Sequence, residues 1–385
     1  MPLKFKRDKV FWTVGAQSIV INYFLGGFGP AQPLLRSDQG TSLTVAGLHG
    51  TAMGIAAIVA GFTVPHLVHR YGRVKTSWIG VNIFSIGVLM FVLGPGIGFT
   101  LPAAFLTGLG TSTIISNIVT ILAQHYKSAA AIAIPQTNAI GSAGYVFGTL
   151  IVGLLAGTTL SWRFGLLVPL PIALATFLLS RDKNAQVHIP HEDGPQRGKL
   201  PAHYWFAFFG FFCSIASEFT ITFWSAALLR ERVGSTAAIS TICIVAVGSG
   251  MAVGRWYAGN LLKRITVDHQ LAAAISLQLI SFMIFWGSHN LVASLVALFG
   301  VGLGISTQFS LSSVRLITLS NNKPDLAIAR SSIAAGLAIG IAPFMLGVLG
   351  DHLGISRGYL MVPVLILFSL VITLWIPSKI DSLTA

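Results

Sequence analysis

Twelve apolar runs, separated by short segments rich in Gly, Pro and charged residues, follow one another along the chain. They cover roughly residues 10–33, 43–67, 76–94, 98–123, 131–157, 161–180, 203–228, 236–262, 268–287, 290–315, 328–350 and 356–377. A helix that crosses the hydrocarbon of a bilayer needs about 20 apolar residues, and each run is near that length. The pattern predicts an all-α membrane protein of twelve transmembrane helices. One long polar segment, RDKNAQVHIPHEDGPQRGKL from Arg181 to Leu200, has six runs on each side. It reads as a linker over 181–202 between an N-terminal bundle, 1–180, and a C-terminal bundle, 203–385.

The halves repeat at an offset of 194 residues. LLRSDQGTS from Leu34 answers LLRERVGST from Leu228, and LTGLGTST from Leu106 answers GVGLGIST from Gly300. Arg70 answers Arg264, and Arg163 answers Arg357. Six spans is an even number, so both halves insert in the same direction. The expected arrangement is two parallel repeats about an axis along the membrane normal.

Composition agrees. The 385 residues are 54% hydrophobic and 9% charged, against roughly a quarter charged in a soluble domain. The net charge of +13 does not point to nucleic acid, because the cations fall in short loops between apolar runs, as the positive-inside rule expects. With the N-terminus inside, 18 of the 24 Lys and Arg residues are cytoplasmic, 5 lie outside, and Arg255 falls within a span. That split places both termini in the cytoplasm. Cys213 and Cys243 lie in apolar runs and read as packing residues. The basic start, MPLKFKRDK, resembles a signal peptide, but its apolar run is too long and lacks a clear cleavage site, so it reads as a retained first helix.

Twelve spans as six plus six, a central linker and a basic loop after span 2 resemble the major facilitator superfamily over essentially the whole chain. The family's loop signature is similar to G-x-L-a-D-R-x-G-R-K. Here PHLVHRYGRVK keeps Arg70, Gly72 and Arg73, but Pro65 replaces the first Gly and His69 replaces the Asp. The second-half counterpart, GNLLKRIT, keeps Gly259 and Arg264 and has Lys263 at the acidic position. The resemblance implies a gating role for this loop, in which the Asp helps to latch the halves; the basic replacements put that latch in doubt. Spans 7 and 8 resemble bacterial fucose and sugar permeases. The antiporter signature of drug exporters, G-x-x-x-G-P-x-x-G-G, is kept only at Gly144, Gly148 and Gly153, with Thr149 at the Pro and Val152 at a Gly. That speaks against drug export.

The resemblance implies that spans 1, 4, 7 and 10 line a central cavity. Each of these carries polar residues at helical spacing. Span 1 has Ser18 and Asn22. Span 4 has Thr113, Asn117, Thr120 and Gln124. Span 7 has Ser214, Glu218 and Thr222, with Trp224 beyond them, and span 10 has Gln308, Ser312 and Arg315. Polar side chains are expensive in lipid unless they find a partner or water. Interhelical hydrogen bonding is the competing reading for each of them. Tyr23, Phe24, Phe219 and Phe309 lie beside the stripes, so a small neutral or amphipathic solute suits the lining. A phosphorylated one would demand clustered Arg or Lys.

Glu218 is the one acid within a predicted span core. It lies about 13 residues, or roughly 20 Å, from the linker end of span 7, and Arg255 about 12 Å deep on span 8. Three readings stay open: Glu218 carries a proton, binds substrate, or pairs statically with Arg255. No phosphate-binding loop for ATP, hydrolase triad or metalloprotease spacing occurs, and no cofactor is expected. His49 reads as an interfacial side chain. His188, His191, Glu192 and Asp193 could hold a metal loosely but read as a solvated loop. The expectation is a non-enzymatic secondary transporter in a bacterial inner membrane, moving a small organic solute by alternating access. It would be proton-coupled, with Glu218 and Arg255 as the coupling candidates, and would act as a monomer. An exporter of amphipathic compounds, or a non-transporting sensor or assembly factor, is the alternative.

Overall fold

The computed structural model describes residues 6–126, 130–180, 198–262, 265–321 and 323–378. The described residues are helical throughout, without strands. The first half contains α1 (Lys9–Phe28), α2 (Gln32–Gln39), α3 (Leu43–Tyr71), α4 (Arg73–Leu93), α5 (Ile97–Tyr126), α6 (Ala130–Ala156), a 3-10 turn (Trp162–Leu167) and α7 (Pro169–Leu179). The second contains α8 (Ala202–Val233), α9 (Ala237–Cys243), α10 (Val245–Leu262), α11 (Val267–Gly287), α12 (Leu291–Ile305), α13 (Gln308–Thr318), α14 (Pro324–Leu353), α15 (Ile355–Gly358) and α16 (Met361–Trp375).

Among the described residues, eleven helical stretches are long and apolar enough to cross a membrane. The first expected span is not one of them. Its helix α1 is 20 residues long, about 30 Å at the α-helical rise, but Gln17, Ser18 and Asn22 dilute its hydropathy. The layout is twelve spans in two repeats. Spans 8 and 10 are each built from two consecutive helices, α9 with α10 and α12 with α13. Span 10 breaks at Ser306, whose hydroxyl donates back to the Leu303 carbonyl at 2.6 Å; such back-bonding bends helices.

The repeat is visible in local geometry. Gly40 ends α2 in the left-handed region at φ 60°, and its counterpart Gly234 ends α8 at φ 70°, a conformation that glycine adopts without steric cost. Ser42 then caps α3 by accepting from Val45 N–H, and Thr236 caps α9 by accepting from Ile239 N–H. Neighbour relations repeat too: α4 packs on α5 as α11 packs on α12, and α3 on α5 as α10 on α12. Counterparts also differ: α5 runs unbroken where its partner splits at Ser306, and α3 runs unbroken where its partner splits into α9 and α10.

The end of the bundle that carries residues 180 and 202 is here termed the linker end, and the opposite one the far end. At the linker end an acid ties each half together. Asp8 caps α1 and accepts from Phe11 N–H, His125 and the Tyr126 hydroxyl. Asp268 lies 2.6 Å from Arg315 Nε and accepts from Ser378.

The halves meet along two crossings, α3 on α14 and α6 on α10. Without an apolar driving force between helices in lipid, close packing of small residues holds such crossings. A Cβ at Gly54 would sit 2.5 Å from Gly340 N, and one at Gly47 2.9 Å from Phe344 Cα. Thr51 donates to the Gly340 carbonyl at 2.7 Å. Toward the linker end Gly61, Phe62, Thr63, Pro65 and His66 of α3 are exposed, over more than half of the helix circumference. The close approaches of α3 to α14 run from Leu43, against Gly347, to Ile58, against Gly336.

Close approach also sets a stability prediction. A Cβ at Gly148 would meet the Tyr23 backbone, at 2.8 Å from its carbonyl carbon, whereas nothing lies within 4 Å at Gly61. Gly148→Ala should therefore destabilise by about 1–3 kcal/mol through overpacking, despite alanine's better helix propensity. Gly61→Ala should be neutral or stabilise by up to about 1 kcal/mol. Thermal unfolding of the purified variants checks the opposite signs.

Candidate functional site

Four helices bring polar side chains together where the halves touch. On α1, Ser18 and Asn22 face α6 at Gly141; a Cβ there would lie 2.8 Å from Asn22 Nδ2 and against Ser18 Oγ. Asn22 Nδ2 donates to the Ser18 carbonyl at 2.8 Å. The next α6 residue, Ser142, is buried and accepts at 2.7 Å from Nη1 of Arg255 on α10. Arg255 Nε also reaches the Ser306 carbonyl at 3.4 Å, which the break in span 10 frees. One guanidinium thus touches the other half and the discontinuity in its own.

Glu218 lies on α8 beside this cluster and is half-buried. Among the described residues it has no hydrogen bond or ion pair, although the Arg255 charge acts on it. Its charge also reaches Tyr145 on α6. The Tyr145 hydroxyl is buried without a hydrogen-bond partner among the described residues, and its ring lies over Gly248 of α10. Arg255 therefore does not form a contact pair with Glu218 in this state. Its hydrogen bonds go to Ser142 and Ser306.

The other stripe residues are placed elsewhere. Ser214 donates to Gln308 Oε1, and Gln308 Nε2 donates to Gln278 Oε1 at 2.7 Å. Gln278 Nε2 donates to Ser217 Oγ at 3.1 Å. This closed network among α8, α11 and α13 is buried within the second half. Thr113 packs against Gly80 of α4 and donates to the Leu109 carbonyl. Asn117 is buried and donates to the Thr113 carbonyl, its Oδ1 unpartnered among the described residues. Thr120 is half-buried and bonds back to Ser116. Thr222 bonds back to Phe219, and Ser312 is buried on α13. Trp224 is fully buried with Nε1 on the Pro343 carbonyl, and Tyr23 donates to the Gly165 carbonyl. Of the aromatics expected beside the stripes, Tyr23, Phe24 and Trp224 are packed in the core, whereas Phe219 is half-buried and Phe309 exposed. His49 is likewise buried, bonded to Thr100 Oγ1 at 2.9 Å, and not interfacial.

At the basic loop, His69 and Arg70 are exposed in the last turn of α3, where cations suit the helix dipole. Arg70 lies over the Tyr71 ring. Gly72, at φ 78°, joins α3 to α4, and Arg73 opens α4 half-buried. Lys263, Arg264, His188, His191, Glu192 and Asp193 lie outside the described residues. Among the described residues, no group of three or more His, Cys, Asp or Glu side chains could hold a metal ion. Ser142 and Tyr145 lie on span 5, which is not one of the four expected lining spans. The small-residue run around them, GSAGYVFG, is the signal that marks a close crossing.

A sequence model described as Major Facilitator Superfamily matches residues 15–322. The chain belongs to the Major Facilitator Superfamily. It is thus a multi-pass membrane transporter by family. The citrinin biosynthesis cluster MFS transporter mrr1 of Monascus ruber is 30% identical over 118 residues, which is 29% of this chain and 24% of that protein. The matched segment thus spans about a quarter of that relative's length. Two solved structures of a bacterial homologue of the human lysosomal transporter Spinster share the fold. The inward-facing, occupied form has a TM-score of 0.76 at 12% identity, covering 96% of this chain and 97% of that one. The inward-facing, unoccupied form has a TM-score of 0.74 at 13% identity, covering 99% and 100%.

The Arg255 hub yields a double-mutant prediction. Ser142→Ala removes one hydrogen bond and should cost about 0.5–1.5 kcal/mol. Arg255→Met should cost more, because it strands the Ser306 carbonyl and leaves Glu218 without its balancing charge. Adding Glu218→Gln to Arg255→Met should restore part of the loss, read as a coupling energy from thermal unfolding. Strict additivity would contradict the placement.

Proposed function

We propose that the chain is a secondary active transporter for a small neutral or amphipathic organic solute, working by alternating access with Glu218 as the proton-carrying group. The observation that carries this reading is a carboxylate deep in the bundle that is half-buried and free of hydrogen bonds among the described residues, while the nearby Arg255 is held by Ser142 and Ser306. A static pair would direct the guanidinium onto the carboxylate. An intramembrane acid without a fixed partner is the arrangement expected of a group that exchanges protons with water or substrate.

The solute class follows from the surroundings. Asn22 and Phe219, both half-buried, offer amide and ring surface, and Arg255 is the one cation in the cluster. A multiply charged phosphate would find too few donors there. With both termini cytoplasmic in a bacterial inner membrane, as the distribution of Lys and Arg supports, the linker end faces the cytoplasm and the bundle stands open to the inside. The six helices on either side of residues 181–202 act as the two rocking bodies, and a monomer suffices.

A thermal-shift screen of sugars, polyols, amino acids, nucleosides and amphipathic cations identifies a ligand, since one that binds only the folded state raises the melting temperature. In proteoliposomes, Glu218→Gln should abolish accumulation of that ligand driven by a pH gradient. It should leave ligand-induced stabilisation and counterflow within about threefold of the parent. Undiminished pH-driven accumulation in Glu218→Gln would rule out the proton role.

A further inference from the structure

The far end of the α3–α14 crossing carries a charge that α14 alone does not explain. Asp351 lies in the last turn of α14. An anion there opposes the helix dipole, which favours cations at a C-terminus. The carboxylate instead serves the other half. Oδ1 accepts from Leu43 N–H at 2.9 Å, and Oδ2 accepts from Thr44 N–H at 2.8 Å and from the Thr44 hydroxyl at 2.6 Å. These groups open the 29-residue α3, whose first N–H groups have no partner within the helix. Asp351 thus occupies the N-terminus of a helix from the opposite bundle, where its charge is favoured.

The second crossing has no equivalent. At the offset of 194, the counterpart of Asp351 is Gly157 at the end of α6. A Cβ on Gly157 would meet Ala238 of α9 at 3.4 Å, so only small apolar groups face each other there. The loop position after span 2 that resembles an acidic one holds His69, which is exposed.

We propose that Asp351 is a one-sided latch that holds the two halves together at the far end and biases the protein toward the state closed there. The inference rests on alternating access but not on proton coupling or on any particular solute. For the far end to open, α3 and α14 must part at Leu43. All three bonds then break together, and the carboxylate is left against its own helix dipole. Closure needs no ligand, because both partners belong to the chain. Opening of the far end is the step that the latch opposes.

The test is a distance measurement on the full chain in nanodiscs, with no substrate and no pH gradient. Spin labels are placed by Ser37→Cys on α2 and Glu231→Cys on α8, both exposed at the far end in different halves. The native Cys213 and Cys243 are buried and stay unlabelled. The parent should give one short-distance population. Asp351→Asn, which keeps the size and removes the charge, should add a longer-distance population and raise the open fraction about fivefold. Thr44→Ala, which removes only the hydroxyl bond, should give a smaller rise in the same direction. An unchanged distance distribution in Asp351→Asn, with an unchanged melting temperature, would overturn the latch. If Asp351→Asn does not fold, Thr44→Ala decides: a raised open fraction supports the latch and an unchanged distribution overturns it. Loss of pH-driven transport in Glu218→Gln with normal distances, or the reverse, separates this proposal from the proton role.

Discussion

How closely two helices from different halves can approach in lipid is the constraint on which the rest depends. Lipid tails are as apolar as leucine, so burial alone does not hold α3 against α14 or α6 against α10. Backbone proximity does. Gly47 and Gly54 let α3 reach the backbone of Phe344 and Gly340, and Gly248 lets α10 accept the Tyr145 ring. Few directional bonds cross between the halves, so in the alternating access proposed above the two bundles would tilt about these crossings without unfolding either. Bonds that do cross, from Thr51, Asp351 and Arg255, therefore carry unusual weight in choosing among tilts.

The same crossings position the chemistry. Arg255 is delivered to Ser142 because α10 passes close to α6, and it meets the Ser306 carbonyl because span 10 breaks at that depth. Glu218 sits across from both on α8. Its repeat counterpart, Phe24, is fully buried and stacked on Phe28, so the first half uses that position for packing. The charge is a property of one half, grafted onto a duplicated scaffold. Asp351, with Gly157 as its counterpart, shows the same pattern at the far end. The scaffold is symmetric in its helix neighbours and asymmetric in its charges, which is what lets one conformation be favoured over the other.

Hydropathy and the 194-residue repeat made the helices legible, because spanning a bilayer is a composition requirement that each run meets on its own. The left-handed glycines Gly40 and Gly234 and the caps Ser42 and Thr236 were visible as the paired LLRSDQGTS and LLRERVGST segments. The split of span 10 was not legible. Ser306 and Thr307 answer Ser112 and Thr113, where α5 continues, and the difference lies in Gly254 and Arg255 on a neighbouring helix. Polar spacing put Ser214 and Gln308 among the cavity-lining candidates, with interhelical hydrogen bonding as the competing reading, and the structure shows them bonded to each other. Spacing did not reveal that Gln278 on α11 and Ser217 complete the network. Periodicity along one helix reports that a side chain is polar, not which neighbour it meets. For that reason the stripes divided into a junction cluster, a closed network and local back-bonds.

Rocking about the α3–α14 crossing is the central claim, and a reversible cross-link tests it most directly. Ser37 on α2 and Glu231 on α8 are exposed at the far end in different halves, and the native Cys213 and Cys243 are buried. In a Ser37→Cys/Glu231→Cys protein reconstituted with the solute found by thermal shift, a bifunctional thiol reagent that bridges the two halves should abolish counterflow, and a reductant that cleaves the reagent's internal disulfide should restore it. Full counterflow through completely cross-linked protein would contradict the account.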